Sequence, residues 1–173
     1  DIGFVKIGEP FPKLFNQGMI HGEDGFVMSK SRGNVIDPLD SIEKYGSDSL
    51  RVFLISVASP DKDFSWSNTG MESSHRLVQK MFSYLSNVSI GRTSSIDESQ
   101  INSAIKSVTE NIENLKYNMV IISFRELFEN VGSVLSSDNL SSCIRLISPF
   151  CPHISEELWE TRGFPGFVSH TSW

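Results

Sequence analysis

The sequence holds only two cysteines, no CxxC pair, no excess of basic residues and no long apolar run. Each absence excludes something. Cys143 and Cys151 stand in a stretch that reads as helix followed by a proline-bounded turn. That placement fits neither a disulfide framework nor a zinc site, and buried thiols in a reducing cytosol are expected instead. His21, His75, His153 and His170 share no ligand spacing, so no metal site, and zinc in particular, is expected in these residues. Nothing approaches the roughly 20 apolar residues needed to span a bilayer. DIGFVKIGEP at the N-terminus has no basic region ahead of an apolar one, so no secretory signal is read there. A cytoplasmic protein without membrane partners is expected. The initiator methionine is also missing, and the chain is expected to be a piece of a longer one. The net charge of −6 argues against a general nucleic-acid coat. Residues 1–70 carry seven Lys/Arg against ten Asp/Glu, and residues 71–173 carry eight against eleven. Any polyanion contact must therefore be confined to a few residues.

What is present divides near residue 70. Before it the character is mixed. KLFNQGMI (13–20) alternates apolar and polar residues and reads as a strand or strand end. The glycine- and serine-rich segment 22–34 reads as a loop. DPLDSIEKYG (37–46) has Pro at the first turn and Gly past the end, the punctuation of a short helix. SDSLRVFLISVA (47–58) reads as a second helix with Ser47 as its N-cap. Phe64 and Trp66 alternate in a polar connector and suggest a short strand. After residue 70 apolar residues fall at helical spacing. Leu77, Val78, Met81, Phe82, Leu85 and Val88 form one stripe, and a serine-rich break follows at 91–100. Ile101 to Leu115 forms a second stripe, Val120 to Leu135 a third, and Leu140, Ile144 and Ile147 a fourth. Pro149 and Pro152 end that one, and HISEELWE (153–160) restarts a helical turn. Spans of this kind with short breaks read as an antiparallel helical bundle.

The loop VMSKSRGN (27–34) carries chemistry. A lysine between small hydroxyls and free backbone amides is suited to polyphosphate: Lys30 places a point charge on phosphate oxygens while Ser29, Ser31 and local N–H groups donate hydrogen bonds. Composition alone does not separate this from an ordinary serine-rich surface loop. The register does. VMSKSRGNVIDPLDSIEKYGSDSLRVFLI resembles the KMSKS signature of class I aminoacyl-tRNA synthetases and the segment that follows it. The match runs without gaps through Met28, Ser29, Lys30, Ser31, Gly33 and Asn34, then Asp37 and Pro38, then EKYG (43–46), then Asp48, Leu50 and Arg51. The flanks DIGFVKIGEPFPKLFNQGMI, SPDKDFSWSNTGMESSHRLVQKMF and SPFCPHISEELWETRGFPGFVSHTSW are similar to the leucyl branch. Isoleucyl and valyl enzymes match the QGM and WSxxG flanks less well, and remain the rival reading. A non-catalytic, tRNA-binding paralogue is the other.

The resemblance implies a mainly α fold. Residues 1–69 would be the end of a Rossmann-type catalytic domain with its mobile KMSKS loop and stem-contact region. Residues 70–173 would be the helical bundle called the anticodon-binding domain. It implies ATP with Mg2+, leucine and tRNA(Leu) as partners, with activation of leucine to the adenylate followed by transfer to tRNA. Lys30 matches the lysine credited with stabilising the transferring phosphates, with Ser29 and Ser31 in support. Met28 would lie with Lys30 at the nucleotide, and Gly18 and Met19 match a segment near the adenine pocket. Two departures stand out. Val27 replaces the usual first lysine, so one loop charge is missing. The HIGH motif is absent and, with the amino-acid pocket and editing domain, is expected upstream; the 173 residues by themselves are not expected to aminoacylate.

Other polar residues have plainer readings. Asp37, Asp40, Glu43 and Asp48 read as a turn, a solvated face and a first-turn acid favoured by the helix dipole rather than a metal cluster. Arg51 either meets a tRNA phosphate or pairs with a nearby acid. Trp66 and Trp159 read as packing residues, and His153 as a cap or core histidine. Arg76, Lys80, Lys116, Arg125 and Arg145 are candidates for phosphate-backbone contacts.

Overall fold

The computed structural model describes residues 3, 4, 6 and 8–173. Asp1, Ile2, Val5 and Ile7, within the N-terminal stretch read as lacking a secretory signal, lie outside the described residues. The fold is mainly helical, and its first helices begin where the local chemistry says they should. Asp37 accepts the Leu39 N–H at 2.9 Å, and α1 (Pro38–Tyr45) follows with Pro at its first position. It stops at Gly46, whose φ of 82° is a left-handed conformation that glycine adopts without steric cost. Helix α2 (Ser47–Ser56) begins at once. Ser67, Ser94 and Ser136 cap α3 (Asn68–Asn87), α4 (Ser95–Glu113) and α6 (Ser137–Ile147), each through its own hydroxyl. Helix α5 (Tyr117–Asn130) lies between the last two, and α7 (Pro152–Thr161) closes the series, followed by a 3-10 turn at Val168–His170.

Two-residue strands stitch the connections. β1 (Ile20–His21) runs parallel to β2 (Phe64–Ser65), with Ile20 opposite Phe64; β3 (Ser89–Ile90) runs parallel to β4 (Val134–Leu135), with Ile90 opposite Leu135. The larger core collects the helical stripes: Met81 and Leu85 from α3, Val108 from α4, Phe124 from α5 and Ile144 from α6 are all buried. Cys143 and Cys151 are free thiols within it, and burial pushes Cys143 up to about 12. A smaller core joins Leu50, Phe53, Trp66 and Met71, with the Trp66 ring edge-on to Phe53 at 4.9 Å. Helix α2 serves both cores, because Val52 points into the larger and Leu50 and Phe53 into the smaller. It is the joint between the loop-bearing half and the helices.

Several expectations need correction. Strand structure at 13–20 is confined to its last residue, Ile20, and continues to His21. Alternation alone does not make a strand; the ladder partner does, and β2 offers only two residues. Leu115 is not the end of a helical stripe but lies beyond α4, at a φ of 57°, in the tight turn into α5. Val131 and Leu135 leave the third stripe, because α5 ends at Asn130 and Gly132 donates its N–H to Asp97 Oδ1 at 2.8 Å. Leu135 is still fully buried, but from β4. The serine-rich break is shorter than 91–100, since Ser94 caps α4 and Asp97 and Glu98 form its first turn. Ser47 is the first residue of α2, not its cap; the cap position is Gly46.

Candidate functional site: the MSKS loop

The loop hangs from a small hairpin. After β1 the chain turns through Gly22 and Gly25, the latter at φ 77°, and returns so that Val27 opposes His21 in an antiparallel bridge. Gly22 donates to the Phe26 carbonyl at 2.8 Å and Met28 to the Ile20 carbonyl at 3.0 Å, closing the hairpin. Met28 then tucks against the smaller core beside Ile36 and Phe64. From Ser29 the chain bends, with the Arg32 N–H on the Ser29 carbonyl at 3.1 Å and the Gly33 N–H on the Lys30 carbonyl at 3.2 Å. Gly33 has φ 71°, where a side chain would be strained.

Asn34 ties the two ends of this bend. Its Oδ1 accepts the Ser29 N–H at 2.9 Å, and its Nδ2 donates to both Asp24 carboxylate oxygens at 3.1 Å and to the Phe26 carbonyl at 3.3 Å. The Asn34 amide, and then the Phe26 N–H, hold the Asp24 carboxyl below its usual range. Asn34 belongs to the matched sequence pattern, but this work spans up to ten residues of chain and is invisible in spacing. Lys30 and Ser31 are left exposed at the bend, and the Ser29 and Ser31 hydroxyls lie 3.3 Å apart. Among the described residues no carboxylate pairs with Lys30. Arg32 keeps its charge, but its guanidinium is drawn 4.4 Å over the Phe26 ring. Val27 is half-buried across from His21. The bend thus presents an unpaired cation between two hydroxyls on an anchored base, an arrangement able to grip an oxyanion.

Gly18 and Met19 lie just before β1, against the connector 60–63. Gly18 donates to the Pro60 carbonyl at 2.8 Å, and a Cβ at this position would fall onto the Lys62 carbonyl. The Met19 N–H donates to Asp63 Oδ1 at 2.7 Å, while its side chain is exposed. Gly18 and Met19 are brought close to the hairpin base rather than to the bend itself.

The remaining polar residues divide between structure and surface. Asp48 is not merely a first-turn acid of α2. It is buried, and its carboxylate accepts the Ile154 N–H at 2.8 Å and His153 Nδ1 at 2.9 Å, capping α7 from a distance. Arg51 takes neither of its expected roles: it donates to the Pro149 and Phe150 carbonyls at 2.9 and 3.2 Å, at the end of α6. An acid at a helix N-terminus and a base at a C-terminus are where the helix dipoles favour them. Arg145 is spent on Ser141, Ser142 and Ser172, and Arg125 on Ser73 Oγ. Lys80 pairs loosely with Glu129 at 3.7 Å, while Arg76 and Lys116 are exposed. His153 caps nothing with its ring and is not core; its side chain is exposed and held by Asp48 and Ser47. Trp66 and Trp159 pack as expected, each with its ring N–H bonded, to Asn68 and to the Pro165 carbonyl.

A signature loop hung from a short parallel strand pair, followed by α1, α2 and a helical domain, defines a class. Residues 4–67 match the model of tRNA synthetases class I (I, L, M and V), and residues 98–173 match that of the anticodon-binding domain of tRNA ligase. The chain belongs to the class I tRNA synthetases. Within that class it is homologous to the part of leucine–tRNA ligases that carries the anticodon-binding domain. It is 34% identical to the leucine–tRNA ligases of Thermosipho melanesiensis and Thermotoga maritima, over 100% of this chain and 24% of each of theirs. The leucyl-tRNA synthetase of Agrobacterium radiobacter K84, solved as a ternary complex with tRNA and LeuAMS, superposes with a TM-score of 0.80 at 27% identity, covering 99% of this chain and 25% of that one. The methionyl-tRNA synthetase of Mycobacterium tuberculosis, at 17% identity and TM-score 0.58 over 86% of this chain and 38% of its own, shares the fold. The chain therefore spans about a quarter of the length of the curated relatives it matches. No helix among the described residues is long and apolar enough to cross a membrane.

Proposed function

We propose that this chain supplies the signature loop and the tRNA-binding helices of a cytoplasmic leucyl-tRNA synthetase. In that reading residues 1–69 complete a Rossmann-type catalytic domain and its stem-contact region, and residues 70–173 form an antiparallel helical bundle. The substrates are leucine, ATP as its magnesium complex, and tRNA(Leu). The leucine carboxylate attacks the α-phosphorus of ATP, an oxygen–phosphorus bond to the leaving pyrophosphate breaks, and leucyl-adenylate forms. Negative charge grows on the departing phosphates, and Lys30 meets it while Ser29 and Ser31 donate hydrogen bonds. Met28, seated in the smaller core, fixes where the bend begins; Gly18 and Met19 flank the same region near the adenine. Of the candidate cations, Arg76 and Lys116, with Lys80 held only loosely by Glu129, are left for the tRNA backbone, because Arg51, Arg125 and Arg145 are engaged within the protein.

The single observation that carries this reading is the unpaired, exposed Lys30 on a bend whose two ends Asn34 pins together. Such a group accelerates a reaction only by meeting charge that develops in the transition state. Lys30→Ala, in a synthetase that carries this chain as its loop and helical part, should lower leucine-dependent ATP–pyrophosphate exchange on the order of 100-fold. Affinity for tRNA(Leu) should hold. A variant that exchanges normally but loses tRNA would show that Lys30 serves the RNA and not the phosphates.

A further inference from the structure

His21 lies outside the signature, yet both of its ring nitrogens face oxygens. Nδ1 is 2.9 Å from the Gly25 carbonyl and Nε2 is 3.4 Å from Asp63 Oδ2. A carbonyl and an ionised carboxylate only accept hydrogen bonds, so each nitrogen has to donate. A neutral imidazole carries one N–H, and only the imidazolium carries two. The His21 backbone opposes Val27 across the hairpin bridge, two residues before the MSKS bend starts at Ser29. Its own carbonyl accepts the Trp66 N–H at 2.8 Å, which ties it to the end of β2. Asp63 in turn receives the Met19 N–H, so one carboxylate joins the residue before β1, the hairpin and the connector.

We infer that His21, as the imidazolium bridging Gly25 and Asp63, is a positioning residue that sets where the MSKS bend leaves its hairpin. The charged groups facing it are Asp63 from the connector and Asp24 from the turn; Asp24 is shared with Asn34, and Lys62 turns instead to Asp61 at 3.4 Å. The charges agree with the geometry. The Gly25 carbonyl, and then Asp63, hold His21 above an ordinary histidine, while the Met19 N–H, and then His21, hold Asp63 below an ordinary carboxylate. The signs define a window. The histidine's contribution is complete below its unfolded value and is lost as pH rises through its raised folded value. The carboxylate's contribution is complete above its unfolded value and is lost as pH falls through its depressed one. The latch is closed between the carboxylate and histidine ranges and opens on the alkaline side when His21 loses its second proton.

The bridge stands on geometry alone; its consequence for ATP rests on the function proposed above, and the test separates the two. The His21 ring and the amides of Val27 to Ser31 are followed by NMR in the full chain as pH is raised. The loop amides should shift with the midpoint of His21, and Asp63→Asn should lower that midpoint and abolish the shared transition. His21→Gln, which keeps one donor and no titration, should leave the loop amides flat through the histidine range. Loop amides that ignore the His21 midpoint, or a midpoint unmoved by Asp63→Asn, would overturn the latch. In a synthetase carrying this chain, His21→Gln should raise KM for ATP several-fold below the histidine range, leave KM for leucine unchanged, and erase the difference above it. If the unaltered enzyme fails to exchange pyrophosphate, the adenylation reading falls while the NMR result still decides the latch.

Discussion

Replacing Asp48 with alanine tests whether the loop-bearing half and the helices are joined by a buried cap. Asp48 is 4% exposed, and its Oδ2 takes the Ile154 N–H at 2.8 Å while Oδ1 takes the His153 ring at 2.9 Å. Losing a side-chain N-cap costs about 0.5–2 kcal/mol. The upper end applies here, because Asp48 is itself buried and an Ile154 N–H orphaned by its loss costs about 1–3 kcal/mol by itself. These figures overlap, so the expected loss is about 2 kcal/mol and not their sum. Urea unfolding followed by far-UV circular dichroism should show the midpoint fall by about 1 M for a slope near 2 kcal/mol/M. Hydrogen exchange at the Ile154 amide should accelerate more than at amides in the middle of α4. Asp48→Asn keeps an oxygen acceptor and should cost about half as much. A loss below about 0.5 kcal/mol for Asp48→Ala, with Ile154 protection unchanged, would refute the cap and leave the carboxylate an ordinary first-turn acid.

Two further substitutions probe packing. Gly18→Ala places a methyl group on the Lys62 carbonyl. It should cost about 1–3 kcal/mol by overpacking and speed exchange of the Gly18 and Phe64 amides, whereas unaltered exchange would refute the close approach of Gly18 to the connector. Phe124→Ala removes a fully buried ring that meets Phe150 edge-on at 5.5 Å. It should cost about 3–5 kcal/mol in the same urea assay, and a loss under about 1 kcal/mol would show that α5 is not held through this ring.

The features legible in advance are the local ones. The loop at 22–34, the Pro38 start and Gly46 stop of α1, and the apolar stripes of α3 to α6 depend on residues within a turn or two of each other. Their chemistry is carried by residue type and spacing, so a sequence displays it. The stripes also misled in one place: Val131 and Leu135 keep helical spacing beyond Asn130 because both are needed in the core, although one follows the helix and the other sits in β4. Burial repeats at helical spacing there without a helix beneath it.

The sequence by itself determined the class of loop, the cation it displays and the helical character of the remainder. Tertiary structure alone decided what the other polar residues do. Asp48 reaches Ile154 across 106 positions, Arg51 reaches Pro149 across 98 and His21 reaches Asp63 across 42, so no local pattern records these pairings. Their partners are in part backbone N–H and carbonyl groups, which every residue possesses and which leave no mark in the choice of amino acid. Folding chooses which of those groups is exposed at a helix end, and only then does a buried acid become a cap or a histidine become a latch.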